Sequence, residues 1–101
     1  MIEKIAGSSI FRDYRSPEGT EFGPEWSGSR WVIKDAVDSA TPRASGPITI
    51  STDKLRLELR VTESDTDLPP ADYFFAVRFE NSATGFADEL QDTLQIQARG
   101  I

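Results

Sequence analysis

The sequence predicts an all-β fold: an antiparallel β-sandwich of about six to seven strands, in one domain spanning residues 1–101. Three observations carry this. Apolar and polar residues alternate in repeated short segments of the C-terminal half; turn-forming clusters separate the segments at intervals of about 8–12 residues; and helix signals are nearly absent.

In chain order, Ile2 to Ala6 is too short and uncapped for a helix, and Ile10 to Arg15 reads as a strand. Pro17, Gly19, Gly23, Pro24 and Gly28 make residues 17–28 a loop. Trp31 to Asp35 reads as the next strand, residues 36–44 as a second loop, and Ser45-Gly46-Pro47 opens a short strand at Ile48 to Ser51. Leu55, Leu57, Leu59 and Val61 then alternate with Arg56, Glu58 and Arg60, the period-2 pattern of a strand with one wet face. Ser64 to Leu68 suits a single helical turn capped by the Ser64 hydroxyl, and Asp65 to Pro70 is a turn. Tyr73, Phe75, Val77 and Phe79 alternate with Phe74, Ala76 and Arg78; Asn81 to Gly85 turns the chain; Leu94, Ile96 and Ala98 alternate with Gln95, Gln97 and Arg99. Burying each inward side chain contributes ~1.5–3 kcal/mol, against ~1–2 kcal/mol of backbone entropy per residue fixed. A sheet wet on both faces does not break even, so the apolar faces must meet.

Composition narrows the function. A net charge of -6 argues against nucleic acid, which needs clustered cations; Arg56, Arg60 and Arg78 are interrupted by Glu58, Glu63 and Glu80. No apolar run reaches the ~18 residues of a membrane span, and Met1-Ile2-Glu3-Lys4-Ile5 is unlike a signal peptide. With no cysteine, neither disulfides nor thiolate metal sites are available, which fits a cytosolic or virion protein and is compatible with export. Beginning on methionine and ending on its last strand, the chain reads as a complete small protein.

Enzymatic machinery is not expected, and neither is a cofactor or a metal. With no histidine, the commonest general base and the Ser-His and Cys-His nucleophile systems are missing. The glycines are scattered, with no phosphate-cradling loop. Glu18, Glu21 and Glu25 could pair as hydrolytic carboxylates but read as a solvated acidic loop. Glu63-Ser64-Asp65-Thr66-Asp67 begins like a calcium loop, yet lacks the central glycine and closing glutamate and runs into Pro69-Pro70.

Aromatic residues are the better candidates. Trp31 alternates with Ile33 and belongs to the core. Trp26, with Tyr14 and Phe22, either plugs one end of the sandwich, the favoured reading, or forms a sugar-stacking surface. Phe74 and Ala76 fall on the face opposite Tyr73, Phe75 and Val77. An exposed aromatic there marks a contact with another chain, unless a neighbouring arginine or loop covers it.

The order of motifs resembles small phage and prophage structural proteins of the tail, baseplate or neck type. An entry segment Ile5-Ala6-Gly7-Ser8-Ser9-Ile10-Phe11 is followed by a tryptophan strand, Ser29-Arg30-Trp31-Val32-Ile33. Thr66-Asp67-Leu68-Pro69 then leads into Tyr73-Phe74-Phe75-Ala76-Val77, and Glu89 to Ile96 closes the module. Ala71-Asp72 and Asp92 stand where the family usually has glycine. The resemblance implies an immunoglobulin-like sandwich, in a virion or the host cytoplasm, that binds other virion proteins or packs side to side with its own copies in a ring. Phe74, Ala76, Tyr14, Phe22 and Trp26 are the expected contact residues. The alternatives are a carbohydrate-binding module built on Tyr14, Phe22 and Trp26, and an immunoglobulin-like domain of a larger bacterial or extracellular protein.

Overall fold

Eight strands form two packed sheets in the computed structural model, which describes residues 1–98. The strands are β1 (Ile2–Ile5), β2 (Ile10–Arg15), β3 (Arg30–Lys34), β4 (Ala44–Pro47), β5 (Thr49–Ile50), β6 (Arg56–Val61), β7 (Ala71–Asn81) and β8 (Phe86–Gln97). One sheet has the order β1-β8-β7-β3-β4 and the other β2-β6-β5. The fold is the expected β-sandwich, with two corrections. The described residues form eight strands where about six to seven were expected, and β1 runs parallel to β8 in an otherwise antiparallel arrangement.

Alternation sets the core. Leu57, Leu59 and Val61 of β6 meet Tyr73, Phe75 and Val77 of β7, with Trp31 and Ile33 of β3 and Leu94 and Ile96 of β8 completing the layer. Trp31 is 2 % exposed, as a core strand residue should be. Tyr73 anchors the start of β7 by donating its hydroxyl to the Pro69 carbonyl at 2.6 Å, which satisfies a polar atom at the rim of the core. Leu55, counted with the inward set on its period, is instead exposed, because β6 begins only at Arg56. Ala98 lies beyond the end of β8 and is exposed; Arg99, the last polar residue of that pattern, is outside the described residues.

Several local expectations change. The Ser64–Leu68 segment is a turn rather than a helical one, and its cap is Asp65: the carboxylate accepts from the Thr62 amide (3.0 Å) and hydroxyl (2.8 Å). Residues 45–47, read as the opening of a strand, lie in β4 on the edge of the larger sheet, and the chain then crosses to the other sheet as β5. The loop 16–28 holds two 3-10 turns, Pro17–Gly19 and Pro24–Trp26.

The two sheets differ in reach. β2 and β6 are 6 residues long, whereas β8 runs for 12 and β7 for 11. The far end of the β7–β8 hairpin therefore extends beyond the cover of the small sheet, and residues 86–91 are all exposed. Among the described residues no helix is long and apolar enough to cross a membrane.

Candidate functional site

The inner face of β8 carries Phe86, Asp88, Leu90 and Asp92 before it reaches the buried Leu94 and Ile96. These four stand opposite Asn81, Phe79, Val77 and Phe75 of β7 in an unbroken register. Since β2 is the outer strand of the small sheet, its Tyr14 is the last residue to lean over this face. A cleft remains between β2 and the outer half of β8.

Aromatic rings line one end of the cleft. Tyr14 packs edge to face on Phe79 (centroids 4.9 Å, 75°), Phe22 on Trp26 (5.3 Å, 89°), and Trp26 leans on Phe86 (6.0 Å, 60°). With Leu57 below and Asp88 at the rim they line a shallow, open hollow of about 180 Å³. A second hollow of about 190 Å³ continues past Tyr14 toward Leu90, Arg12 and Asp92. Phe86 and Leu90 are each 49 % exposed, large apolar side chains left in water beside a packed aromatic cluster.

The loop that brings Phe22 and Trp26 here is stitched at several points. The Phe22 amide donates to the Lys54 carbonyl (2.7 Å), and the Ser82 amide on the hairpin tip donates to the Glu25 carbonyl (2.9 Å). Ser29, buried at the loop's exit, accepts the Glu80 amide on its hydroxyl at 3.1 Å. The hairpin turn is held by Asn81, whose side-chain oxygen accepts from the amides of Ala83 (2.9 Å) and Thr84 (3.3 Å). Gly85 closes it at φ 75°, where a side chain would be strained.

Three of the five expected contact residues thus meet: Tyr14, Phe22 and Trp26 share the cleft. Their rings abut edge to face, so Trp26 both plugs this end of the sandwich and offers one flank to the groove, and the cluster forms no flat platform. Phe74 and Ala76 lie on the opposite, outer face of the large sheet. Phe74 is half-buried beside Gln91 and Thr93. The expectation for Ala76 needs correction. It does point outward, but only 2 % of it is exposed. Its methyl is short, and its register partners Val32 and Gln91 stand taller on either side. Ala76 is the floor of a hollow of about 390 Å³ walled by Arg30, Lys34, Arg78 and Glu89. Phe86 and Leu90 were not among the expected contact residues, because Asp88 and Asp92 on the same face break the apolar alternation.

Among the described residues the ion pairs are local. Asp13 is held by Arg60 (2.8 Å) and Arg56 (3.3 Å) on the outer face of the small sheet, where Arg60 also pairs with Glu58 and lies over the Phe11 ring. Arg78 is on the other sheet and pairs with Glu80 at 2.6 Å, which raises the guanidinium pKa and lowers that of the carboxyl. No group of three or more acidic residues among the described residues is arranged to hold a metal ion. Compared with protein-family models, with curated proteins and with solved structures, the chain matches none.

Proposed function

We propose that this domain is a non-catalytic, immunoglobulin-like protein-binding module in the assembly of a phage or prophage particle, with the cleft between β2 and β8 as its contact surface. The observation that carries the binding role is the pair Phe86 and Leu90, half exposed beside the rings of Tyr14, Trp26 and Phe79. Rigid aromatics beside a groove provide large contact area at little entropic cost, the composition that protein interfaces favour.

The immunoglobulin-like reading is supported by several independent features. The β2-β6-β5 sheet facing β8-β7-β3-β4 matches the arrangement of B, E and D against G, F, C and C′. Trp31 is the buried tryptophan on the C-like strand, and Tyr73 at the start of β7 bonds back to the Pro69 carbonyl as a tyrosine corner does. Phe75, two residues on, occupies the place of the usual second cysteine, so apolar packing substitutes for the inter-sheet disulfide. The virion setting, with other virion proteins as partners, rests on the resemblance of the ordered motifs.

The test is quantitative mass spectrometry of particles purified from the source strain, comparing the wild type with Phe86→Ser. Phe86 is exposed, so the variant should fold. The wild-type chain is expected at a fixed stoichiometry and the variant to be depleted. Particles without the wild-type chain overturn the virion setting, and a variant incorporated as well as the wild type overturns the role of the cleft.

A further inference from the structure

We infer that the edge of β8 from Phe86 to Thr93 takes up an extended segment of a partner protein, about eight residues long, in which apolar residues alternate with lysine or arginine. This rests on the protein-binding reading above and specifies the partner's chemistry and its mode of attachment.

Among the described residues two-thirds of β8 lacks a second neighbour. β1 pairs only with Leu94 to Gln97, while β7 pairs with β8 along its whole length. From Phe86 to Thr93 one side of the strand is therefore an open backbone edge among the described residues, about 27 Å long at ~3.4 Å per residue. Ladder alternation shows which groups face it. The Ala6 amide donates to the Gln97 carbonyl at 2.9 Å on the β1 side, so odd-numbered peptide groups point to this edge and even-numbered ones to β7. The open donors and acceptors are those of Ala87, Glu89 and Gln91, with the Thr93 amide; the Thr93 carbonyl faces the Ile2 amide of β1.

Two of these amides are already covered from within. Glu89 N–H donates to Asp88 Oδ1 at 3.0 Å and Thr93 N–H to Asp92 Oδ1 at 2.7 Å. Each aspartate stands in for the carbonyl of an absent strand. An incoming backbone displaces these carboxylates, which then seek a cation on the incoming segment.

Charge selects the occupant. Asp88, Glu89 and Asp92 lie within the open edge, and the N-terminal ammonium (3.1 Å) and Arg12 face Asp92 alone. Asp88 makes no ion pair among the described residues, whereas Glu89, on the outer face, stands opposite Arg78 and accepts from Gln91 Nε2 at 2.7 Å. A second copy, pairing edge to edge, would set these carboxylates against their own kind on a chain of net charge -6. A cationic segment meets them favourably. Its alternate apolar side chains extend the surface begun by Phe86 and Leu90, as in strand addition to an exposed sheet edge.

The probe is a blocked eight-residue peptide of alternating valine and lysine, titrated into the full chain while amide shifts are followed by NMR. Two comparison peptides are used: the same sequence N-methylated at alternate residues, and one alternating valine and glutamate. Shifts are expected at Ala87, Glu89, Gln91 and Thr93. Affinity should fall about tenfold or more with the N-methylated peptide and in the variant Gln91→Pro, whose amide no strand uses. The glutamate peptide should bind more weakly still. Silence of the edge amides at millimolar peptide, or equal binding of the N-methylated or glutamate peptide, overturns the inference. So does a dimer of the chain that is lost in Gln91→Pro, which would make the occupant a second copy. If the edge is silent while Phe86→Ser is still depleted from particles, strand addition fails and the protein-binding cleft stands.

Discussion

Gly46→Ala tests how tightly the large sheet is built around Trp31. Gly46 lies opposite Trp31 in the β3–β4 register, and a Cβ there would sit 2.8 Å from the indole Nε1 and 2.9 Å from Cε2 and Cζ2. These atoms belong to a rigid ring with 2 % exposure, so relief requires the whole indole to move into a packed core. Overpacking of this kind costs about 1–3 kcal/mol. Restricting the unfolded chain returns about 0.4–1 kcal/mol. Taking the middle of each range, the net loss is about 1.3 kcal/mol, or roughly 5–10 °C in Tm for a domain of this size. Thermal and urea unfolding followed by near-UV circular dichroism would measure it. The decisive comparison is a double-mutant cycle with Trp31→Phe, whose smaller ring leaves room for the methyl. It also removes an indole N–H that is buried without a hydrogen-bond partner. In that background Gly46→Ala should cost little or nothing, giving a coupling of about 1–2 kcal/mol. An equal cost in both backgrounds, or a neutral single substitution, would refute the steric reasoning.

Two further outcomes follow from the hydrogen bonds. Tyr73→Phe removes the donor to the Pro69 carbonyl and should lower stability by about 0.5–1.5 kcal/mol in urea unfolding, with the fold retained. The acid limb of stability should reflect three carboxylates with depressed pKa values: Asp53 through the Ser51 hydroxyl and the Leu55 amide, Glu80 through Arg78, and Asp92 through the N-terminal ammonium and the Thr93 amide. A carboxylate depressed on folding contributes fully above its unfolded pKa, near ~4, and the contribution is lost as pH falls through the folded value. The urea midpoint should hold steady between about pH 5 and 7 and decline below about pH 4, less steeply in Asp53→Asn.

What the sequence made legible follows the strength of each burial signal. Leu57 to Val61 alternate cleanly because β6 has one face in the core and charged residues on the other, and Tyr73 to Val77 keep the same period although Phe74 is half-buried and Ala76 buried on the outer face. β1 was hidden because Ile2 to Ile5 is too short for a period. It is defined by a parallel ladder with Leu94 to Gln97, a partner more than ninety residues distant that no local pattern reveals. β4 was hidden because Gly46 and Pro47 are turn-formers. An edge position accepts proline, and the ring of Trp31 requires glycine. For the site, composition pointed to Tyr14, Phe22 and Trp26, but not to their meeting with Phe79 and Phe86. That meeting is set by Ser82 and Lys54 gripping the loop from distant parts of the chain.

β8 shows why the same strand could be read at one end and not at the other. Leu94 and Ile96 are buried and keep strict alternation; upstream, the same face carries Phe86, Asp88, Leu90 and Asp92. A carboxylate on that face cannot be roofed by a second sheet without a large desolvation cost. The small sheet accordingly stops at Tyr14, and β1 stops pairing at Leu94. The two aspartates that blur the pattern are thus the residues that keep this part of β8 open. Their own bonds to the Glu89 and Thr93 amides cover donors that an open edge would otherwise present. An edge that is apolar beside the groove and capped by its own aspartates is the feature on which the proposal of an extended cationic partner strand rests.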